Sequence, residues 1–324
     1  MSENMKTPIL SVVDLKTTFL TNDGPVEAVH NVSFDIFESE VLGFVGESGA
    51  GKSQVFMSIM GILASNGRAS GSALFKGEEI LNLPLEKLNK IRGHHLSMIF
   101  QDPMTSLNPY LTISKQMSEV LVYHKGLSWS DAEKKSLEML DCVKIPEAKM
   151  RLKSYPHELS GGMRQRVMIA MSLLCEPDIL IADEPTTALD VTVQAQILDL
   201  MLELKKDFKT AIIMITHDLG VVAQICDRVH VMYGGRIVEK GDVNDIFYNP
   251  FHPYTQGLLN STPRMDQNVQ ESLVAIPGNP PSLGQLSKGC SFQDRCDFCM
   301  PKCLEERPDL KITTSGGLAA CHLI

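Results

Sequence analysis

The stretch VLGFVGESGAGKS, residues 41–53, decides the fold of this chain. Its first part, Val41–Val45, has the length and apolar composition of a buried strand, and the remainder fits the spacing Gly, four residues, Gly-Lys-Ser. A strand must therefore turn into a helix within a glycine-rich loop. Such a loop lets successive backbone N–H groups converge on one anion, and the following helix N-terminus adds partial positive charge. The motif predicts a phosphate-binding loop, whose members are Gly46, Ser48, Gly49, Ala50 and Gly51.

The two residues that end this motif add the chemistry of a nucleotide site. In loops of this type the lysine reaches the β- and γ-phosphates and the hydroxyl that follows it holds Mg²⁺. We therefore expect Lys52 and Ser53 to bind a nucleoside triphosphate together with Mg²⁺. The alternative is a plain glycine-rich turn, and four fixed positions directly after a strand argue against it.

Composition limits the classes of protein that the chain can belong to. Its 324 residues suffice for one large domain with an appendage or for two domains. A net charge of -9 argues against a large nucleic-acid footprint. Charges interrupt the apolar runs before the roughly 18 residues that a membrane span requires. The first ten residues lack the pattern of a signal peptide, so we expect a cytosolic chain.

Paired acids end a second apolar run. Ile179–Ala182 reads as a buried strand, and Asp183 and Glu184 follow it directly. At the carboxyl end of a parallel strand, Asp183 can bind Mg²⁺ directly or through its water, and Glu184 can polarise an attacking water. Acids in this pattern predict hydrolysis of the bound nucleotide.

Two further strand ends carry polar side chains. Leu96–Phe100 ends at Gln101, whose amide can touch Mg²⁺ or water, and Ala211–Thr216 ends at His217, which can donate to the γ-phosphate. Each is a weak signal alone, because most glutamines are surface groups and a lone histidine at such a place is more often structural. We expect both to act beside Glu184.

A second phosphate-binding helix start follows in the chain. Ser160 is a natural N-cap, and Gly161 and Gly162 leave the first N–H groups bare for an anion that approaches closely. A plain capped helix would explain the serine but not two glycines in a first turn, where each lowers helix propensity.

The remaining patterns predict an α/β fold with two additions. Early alternating strands predict an antiparallel layer, in which Phe19 either stacks on a base or simply packs. The segment from about 104 to 160 reads as a helical subdomain, with a capping box at Ser130 and Glu133 opening one helix. We expect a nucleotide-binding domain over 1–245 and a separate cysteine-rich extension over 246–324.

The tail holds five cysteines in its last 35 residues: Cys290, Cys296, Cys299, Cys303 and Cys321. In a cytosolic protein, thiols this close point to a metal rather than to disulfides. Four thiolates can hold either Zn²⁺ or an iron–sulfur cluster, and the spacing does not choose between them. The third alternative is reduced thiols without metal. We expect the other three cysteines, Cys142, Cys175 and Cys226, to be reduced core residues.

Taken in order, these motifs resemble the ATP-binding cassette (ABC) ATPases. The phosphate loop, Gln101, the Ser-Gly-Gly signature, Glu184, the Ala-Leu-Asp segment ending at Asp190 and His217 are the six elements. The segments GES at 46–48, MIFQDPMTSLNP at 98–109 and HPYT at 252–255 are similar to the bacterial oligopeptide and dipeptide permease ATPases. Met163 departs from the wider superfamily, which often has Gln there, but Met is usual in the peptide-permease branch.

The resemblance implies an ABC-type nucleotide-binding domain: a RecA-like P-loop core with an antiparallel β layer and a helical subdomain. It implies head-to-tail stacking of two cassettes, in which Ser160, Gly161 and Gly162 serve the partner's ATP, and it implies that Asp190 also binds nucleotide. The expected partners are two transmembrane permease subunits, a related cassette and, indirectly, an extracytoplasmic peptide-binding protein, with no nucleic acid. The expected place is the cytoplasmic face of the inner membrane.

For the tail, the resemblance implies a [4Fe-4S] cluster on Cys290, Cys296, Cys303 and Cys321, with Zn²⁺ as the alternative and Cys299 extra to the pattern. Two other functions remain open. One is a soluble ABC ATPase acting on DNA or ribosomes, which the single cassette, absent heptads and acidic balance disfavour. The other is a non-hydrolysing regulatory subunit, which Glu184 and His217 disfavour.

Overall fold

The structure is a computed structural model that describes residues 7–101, 106–186, 190–261, 275–281 and 288–324. The chain divides into two compact units. The first comprises Met1–Ile36, Val41–Asn82 and Met214–Ile324, and the second comprises Phe37–Glu40 and Leu83–Ile213. The boundary at 213/214 falls inside a strand, so that strand belongs to both units.

Within the described residues the strands are β1 Leu10–Thr21, β2 Gly24–Ile36, β3 Val41–Val45, β4 Gly67–Phe75, β5 Glu78–Glu79, β6 Leu96–Ile99, β7 Ile179–Asp183, β8 Ala211–Thr216, β9 Arg228–Tyr233, β10 Arg236–Asp242, β11 Lys311–Ile312 and β12 Leu318–Ala319. The α-helices there are Lys52–Ile59, Leu85–Ile91, Ile113–Lys125, Trp129–Cys142, Ala148–Arg151, Gly161–Leu173, Val191–Phe208, Leu219–Ile225, Val243–Tyr248, Pro253–Asn260 and Pro301–Glu305. Short 3₁₀ turns span Pro156–Glu158 and Gln293–Arg295.

The first unit contains the predicted antiparallel layer, in the strand order β2-β1-β4-β5. Alternating burial along β2, which buries Val32, Phe34 and Ile36, gives that strand one core face. Phe34 and Phe44 pack edge to face with centroids 5.0 Å apart, and Phe44 packs on Phe56 in the same way at 4.9 Å. Such pairs favour T-shaped geometry. They fix the helix Lys52–Ile59 against β3.

A second set of paired strands in the first unit carries the phosphate loop. All five residues of β3 are buried, as expected of a parallel strand covered on both faces, and β3 pairs in parallel with β9. The hairpin β9–β10 is antiparallel, and β10 pairs with β12 of the C-terminal tail. The tail therefore continues the pairing that begins at β3.

The second unit combines parallel strands with helices. In it β6 pairs in parallel with β7, so the ends of these two strands lie at the same edge. Helices cover 113–125 and 129–142, the region predicted to be helical. The predicted capping box at Ser130 is wrong by two residues: Ser128 is the N-cap, and its hydroxyl accepts from the N–H of Asp131 at 3.2 Å. The Ser-x-x-acid spacing occurs there first, which starts the helix earlier.

The structure also shows the burial of the three cysteines outside the tail and the length of the helices. Cys175 and Cys226 are buried as predicted, but Cys142 is exposed at the end of its helix, which corrects the prediction that it is a core residue. In the part of the chain that the structure describes, the helices are all too short or too polar to cross a bilayer.

Candidate functional site

The phosphate loop takes backbone conformations that demand glycine. Gly46 has φ 151° and Gly51 has φ 92°. A Cβ at Gly51 would lie 2.5 Å from the carbonyl oxygen of Ala28, and a Cβ at Gly46 would collide with the carbonyl of Met232. Only glycine tolerates both the positive φ and the close backbone. The loop is thus pinned against neighbouring strands.

The helix that follows begins without a side-chain cap. Its N-cap is Gly51, which has no side chain. The N–H groups of the first turn therefore donate to no N-cap side chain. The buried Lys52 donates from Nζ to the carbonyl oxygens of Gly46 at 2.7 Å and Glu47 at 3.0 Å. Backbone donors, a helix N-terminus and one ammonium in a single loop make a site for phosphate.

An ion pair from the tail holds the start of this loop. Arg295 donates to the Glu47 carboxylate from Nη1 at 2.6 Å and from Nη2 at 3.0 Å, across 248 positions of sequence. The Arg295 side chain is 5% exposed and that of Glu47 is 26% exposed. The Glu47 N–H also donates to the hydroxyl of Tyr254 at 2.8 Å. Hydrogen bonding to Glu47 raises the pKa of Arg295, so the guanidinium keeps its charge.

Sequence reasoning missed this contact. The sequence pattern places Glu47 only within the GES segment and gives no reason to single out Arg295. One feature of the sequence could have predicted it: Glu47 is an acid within a phosphate-binding loop. Such a carboxylate repels phosphate unless a cation pairs with it.

In the second unit the strand ends bring two predicted residues together. Gln101 Nε2 donates to Glu184 Oε2 at 2.8 Å. Glu184 has φ 46°, an uncommon conformation for a residue with a side chain and one that is found preferentially at functional sites. Asp183, the residue before it, is 4% exposed at the end of β7. A carboxylate, an amide and a second carboxylate thus meet at one sheet edge, and oxygen donors suit Mg²⁺ and water.

The predicted signature helix spans Gly161–Leu173, with Ser160 as its N-cap. The Ser160 hydroxyl accepts from the N–H of Met163 at 3.3 Å, and Ser160 and Gly161 are exposed. The buried side chain of Gln165 donates to the carbonyl of Pro185, one residue beyond Glu184. Gln165, which sequence reasoning did not single out, therefore ties this helix to the acidic strand end.

Three predicted residues occupy separate positions. Asp190 is the N-cap of Val191–Phe208 and accepts from the N–H of Val193 at 3.0 Å, while Ala188 and Leu189 lie outside the described residues. His217 is exposed directly after β8. Phe19 is half-buried in β1 beside Gly67, two residues from Thr17, whose hydroxyl bonds with that of Ser58 in the phosphate-loop helix.

Comparison with known proteins identifies this arrangement. Residues 29–187 match the family described as ABC transporter, and residues 238–303 match the oligopeptide/dipeptide transporter C-terminal region. Over 313 residues the chain is 60% identical to "Oligopeptide transport ATP-binding protein OppD" of Salmonella typhimurium, which covers 97% of this chain and 93% of that protein. The chain belongs to the peptide-transporter ABC ATPases.

Other relatives agree with this family. The chain is 51% identical to "Dipeptide transport ATP-binding protein DppD" of Bacillus subtilis, over 97% of this chain and 94% of that protein. Among solved structures, the ATP-binding cassette MJ0796, in a dimeric post-hydrolysis state bound to ADP and Pi, aligns with a TM-score of 0.65 at 26% identity. It covers 72% of this chain, and 98% of MJ0796 is aligned. The ABC cassette fold predicted from the sequence is confirmed.

The structure does not support the predicted iron–sulfur cluster, or a zinc ion, on the tail cysteines of this ABC ATPase. Among the described residues, which include all five tail cysteines, no group of three or more His, Cys, Asp or Glu side chains is arranged to hold a metal ion. Burial raises the pKa of the Cys290 thiol to about 11, and it also raises the pKa values of Cys296 and Cys321. The prediction of a [4Fe-4S] cluster on Cys290, Cys296, Cys303 and Cys321 is not supported.

Proposed function

We propose that this chain is the ATP-hydrolysing subunit of an ABC importer and that it couples ATP hydrolysis to oligopeptide uptake across the cytoplasmic membrane. The observation that carries the proposal is the pairing of Gln101 with Glu184 in a chain that is similar over nearly its whole length to oligopeptide transport ATP-binding proteins. A soluble ABC ATPase working on DNA or ribosomes is not favoured, because the likeness to peptide transporters extends through the C-terminal region, residues 238–303.

ATP and Mg²⁺ are the proposed ligands of the nucleotide site. Lys52 and the backbone N–H groups of the loop, Gly46 and Ser48 to Gly51, would hold the β- and γ-phosphates. Ser53, Gln101 and Asp183 supply hydroxyl, amide and carboxylate oxygens of the kind that Mg²⁺ prefers. Phe19 would stack on the adenine ring, since part of its ring on β1 remains open to solvent.

Glu184 is the proposed general base. Its carboxylate accepts a proton from the attacking water, while Gln101, already hydrogen-bonded to it, orients that water, and His217 donates to the γ-phosphate. The positive φ of Glu184 supports this assignment, because the surrounding structure must stabilise a conformation that costs about 1–3 kcal/mol. Mg²⁺ would neutralise the charge that develops on the phosphate oxygens.

Ser160, Gly161, Gly162 and Asp190 would act on the nucleotide of a second, related cassette. The exposure of Ser160, Gly161 and Asp190 and the glycine turn after Ser160 support this, because an exposed helix start can meet an anion on another chain. ATP bound between two cassettes favours their association, and hydrolysis releases it.

The membrane partners would be two permease subunits, which dock on the helical subdomain of about 104–160 at the cytoplasmic face of the inner membrane. An open groove of about 360 Å³ in the second unit supports this docking. Leu111, Val120 and Met171 contribute its apolar wall, and Tyr123 at its side is 70% exposed. Exposed apolar and aromatic side chains beside a groove are typical of a binding surface. An extracytoplasmic binding protein would deliver the peptide.

We further propose that residues 1–245 form the nucleotide-binding domain and 246–324 a peptide-permease-type extension. The extension does not stand apart from the phosphate loop, since Arg295 pairs with Glu47.

Co-purification tests the proposed assembly. The tagged chain, extracted from membranes in mild detergent, is expected to bring down two multi-span membrane proteins and a second cassette, identified by mass spectrometry. Tyr123→Glu should reduce recovery of the membrane proteins at least tenfold and leave ATP binding unchanged, because it puts a charge into the apolar groove. Glu133→Gln, an exposed change on the neighbouring helix, is the matched control. Recovery of ribosomal or DNA-processing proteins without any membrane protein would overturn the transport assignment.

A further inference from the structure

A cavity of about 340 Å³ lies within the first unit, away from the phosphate loop motif. Its walls come from β2, from β10 and from the C-terminal tail, so it lies where the tail meets the cassette. The volume falls in the range of about 300–1,000 Å³ typical of small-molecule sites.

Three basic side chains line the cavity: Arg236, Lys240 and Arg307. The carboxylates on its wall, Asp14 and Asp309, are exposed, whereas the three cations are each partly buried. Charges that are partly removed from water act more strongly than exposed ones. The cavity is therefore electropositive, in a chain whose net charge is -9.

Arg236 is the cation that the protein itself does not satisfy. Within the described residues no carboxylate forms an ion pair with it, and its Nε is buried without a hydrogen-bond partner. Burial, followed by repulsion from Arg307, lowers its pKa to about 10, and the attraction of Glu27 is weaker than that repulsion. A partly buried guanidinium that faces another one is unfavourable unless something bridges the two.

Other groups at the cavity fit the same chemistry. Ser291 lines it and has a buried Oγ with no partner among the described residues. Among the described residues, the hydrogen bond that Lys240 donates goes to the carbonyl oxygen of Ser33 at 3.5 Å, which is the limit of a hydrogen bond. Phe292 and Leu310 add an apolar wall. Hydrogen-bond donors on one side and apolar surface on another suit an organic anion rather than a bare ion.

We propose that this cavity binds a small phosphorylated solute, whose phosphate group bridges Arg236 and Arg307 and contacts Lys240. Guanidinium groups bind phosphate through two parallel N–H···O bonds, and the phosphate charge offsets the repulsion between the arginines. Because residues of both β10 and the tail line the cavity, the bound solute contacts the cassette and the tail together. The same tail carries Arg295, which grips the phosphate loop.

The test separates this cavity from the nucleotide site. All variants carry Lys52→Ala, which removes the ammonium that binds phosphate at the phosphate loop. The probe is inorganic pyrophosphate. Thermal unfolding is expected to shift upward by about 3 °C or more at saturating pyrophosphate. Adding Arg236→Met should abolish the shift. Lys311→Met removes a positive charge from the same tail outside the cavity and should keep it. No shift in the Lys52→Ala protein, or an equal shift with Arg236→Met, would overturn the proposal.

The same variants distinguish a binding residue from a structural one. Methionine keeps the apolar stem and removes the unpaired charge, so Arg236→Met should unfold at the same or a higher temperature without pyrophosphate. A clearly lower temperature would show that Arg236 serves the fold and would contradict the proposal.

A second experiment measures the binding of the same variants to vesicles of phosphatidylglycerol. Vesicle binding that needs Arg236, with no response to pyrophosphate, would assign the cavity to a lipid headgroup and overturn the soluble ligand.

Discussion

Glu184→Gln is expected to lower the ATPase rate by about 10²- to 10⁴-fold, the usual contribution of a general base. Glutamine has the same shape and can still accept the hydrogen bond that Gln101 donates at 2.8 Å, so the strand end keeps its geometry. What it loses is the ability to take a proton from water. ATP binding should stay within about twofold of wild type, because Lys52 and the phosphate loop are unchanged. The substitution removes a group that acts in the transition state, not one that binds ATP in the ground state.

Phosphate release and titration with a fluorescent ATP analogue measure these two quantities separately. Glu133→Gln is the matched control, since it removes an exposed carboxylate from the same unit, and it should change neither. A Glu184→Gln protein that hydrolyses ATP at the wild-type rate would refute the assignment of Glu184 as base. Loss of ATP binding in this variant would instead make Glu184 a binding residue, which also contradicts the account.

Arg295→Met is expected to destabilise the protein and weaken ATP binding together. Removing one partner of a buried ion pair costs about 3–5 kcal/mol, and we expect the low end because Glu47 remains 26% exposed. The unpaired Glu47 carboxylate then lies in the phosphate loop, where it repels the triphosphate. We expect a lower urea midpoint and an ATP affinity reduced at least tenfold, measured by unfolding and by nucleotide titration.

A double variant separates charge from packing. Glu47→Gln added to Arg295→Met removes the stranded carboxylate and should restore a large part of the ATP affinity. Arg151→Met is the control, because Arg151 pairs with Glu147 only at 3.9 Å and Glu147 is 68% exposed, so its loss should cost less than about 0.5 kcal/mol. Unchanged ATP affinity in Arg295→Met would mean that the tail does not support the loop.

The local parts of this site were predictable from sequence. Buried strands that end in polar residues define where Gln101, Asp183 and Glu184 lie, since the carboxyl ends of parallel strands share one edge. The glycines at 46 and 51 likewise have positive φ, as a tight strand-to-helix loop demands. Short-range geometry determines both features, so short-range patterns reveal them.

Long-range features were not predictable in the same way. The contact of Arg295 with Glu47 joins residues 248 positions apart, and no periodicity records which cation meets which acid. Clustered cysteines suggested a metal, but their arrangement depends on how the tail folds, and the described residues hold no such group. The start of the helix Trp129–Cys142 was misplaced because two Ser-x-x-acid patterns overlap, and only backbone geometry selects Ser128.

Peptide uptake by cells tests the central claim most directly. Cells that lack this chain are supplied with wild type, Glu184→Gln or Glu133→Gln, and the uptake of a radiolabelled tetra-alanine is measured. The account predicts uptake with wild type and Glu133→Gln, and none above background with Glu184→Gln at equal protein levels. Uptake with Glu184→Gln equal to that with wild type, or undiminished uptake in cells without the chain, would contradict the claim that ATP hydrolysis by this chain powers peptide import.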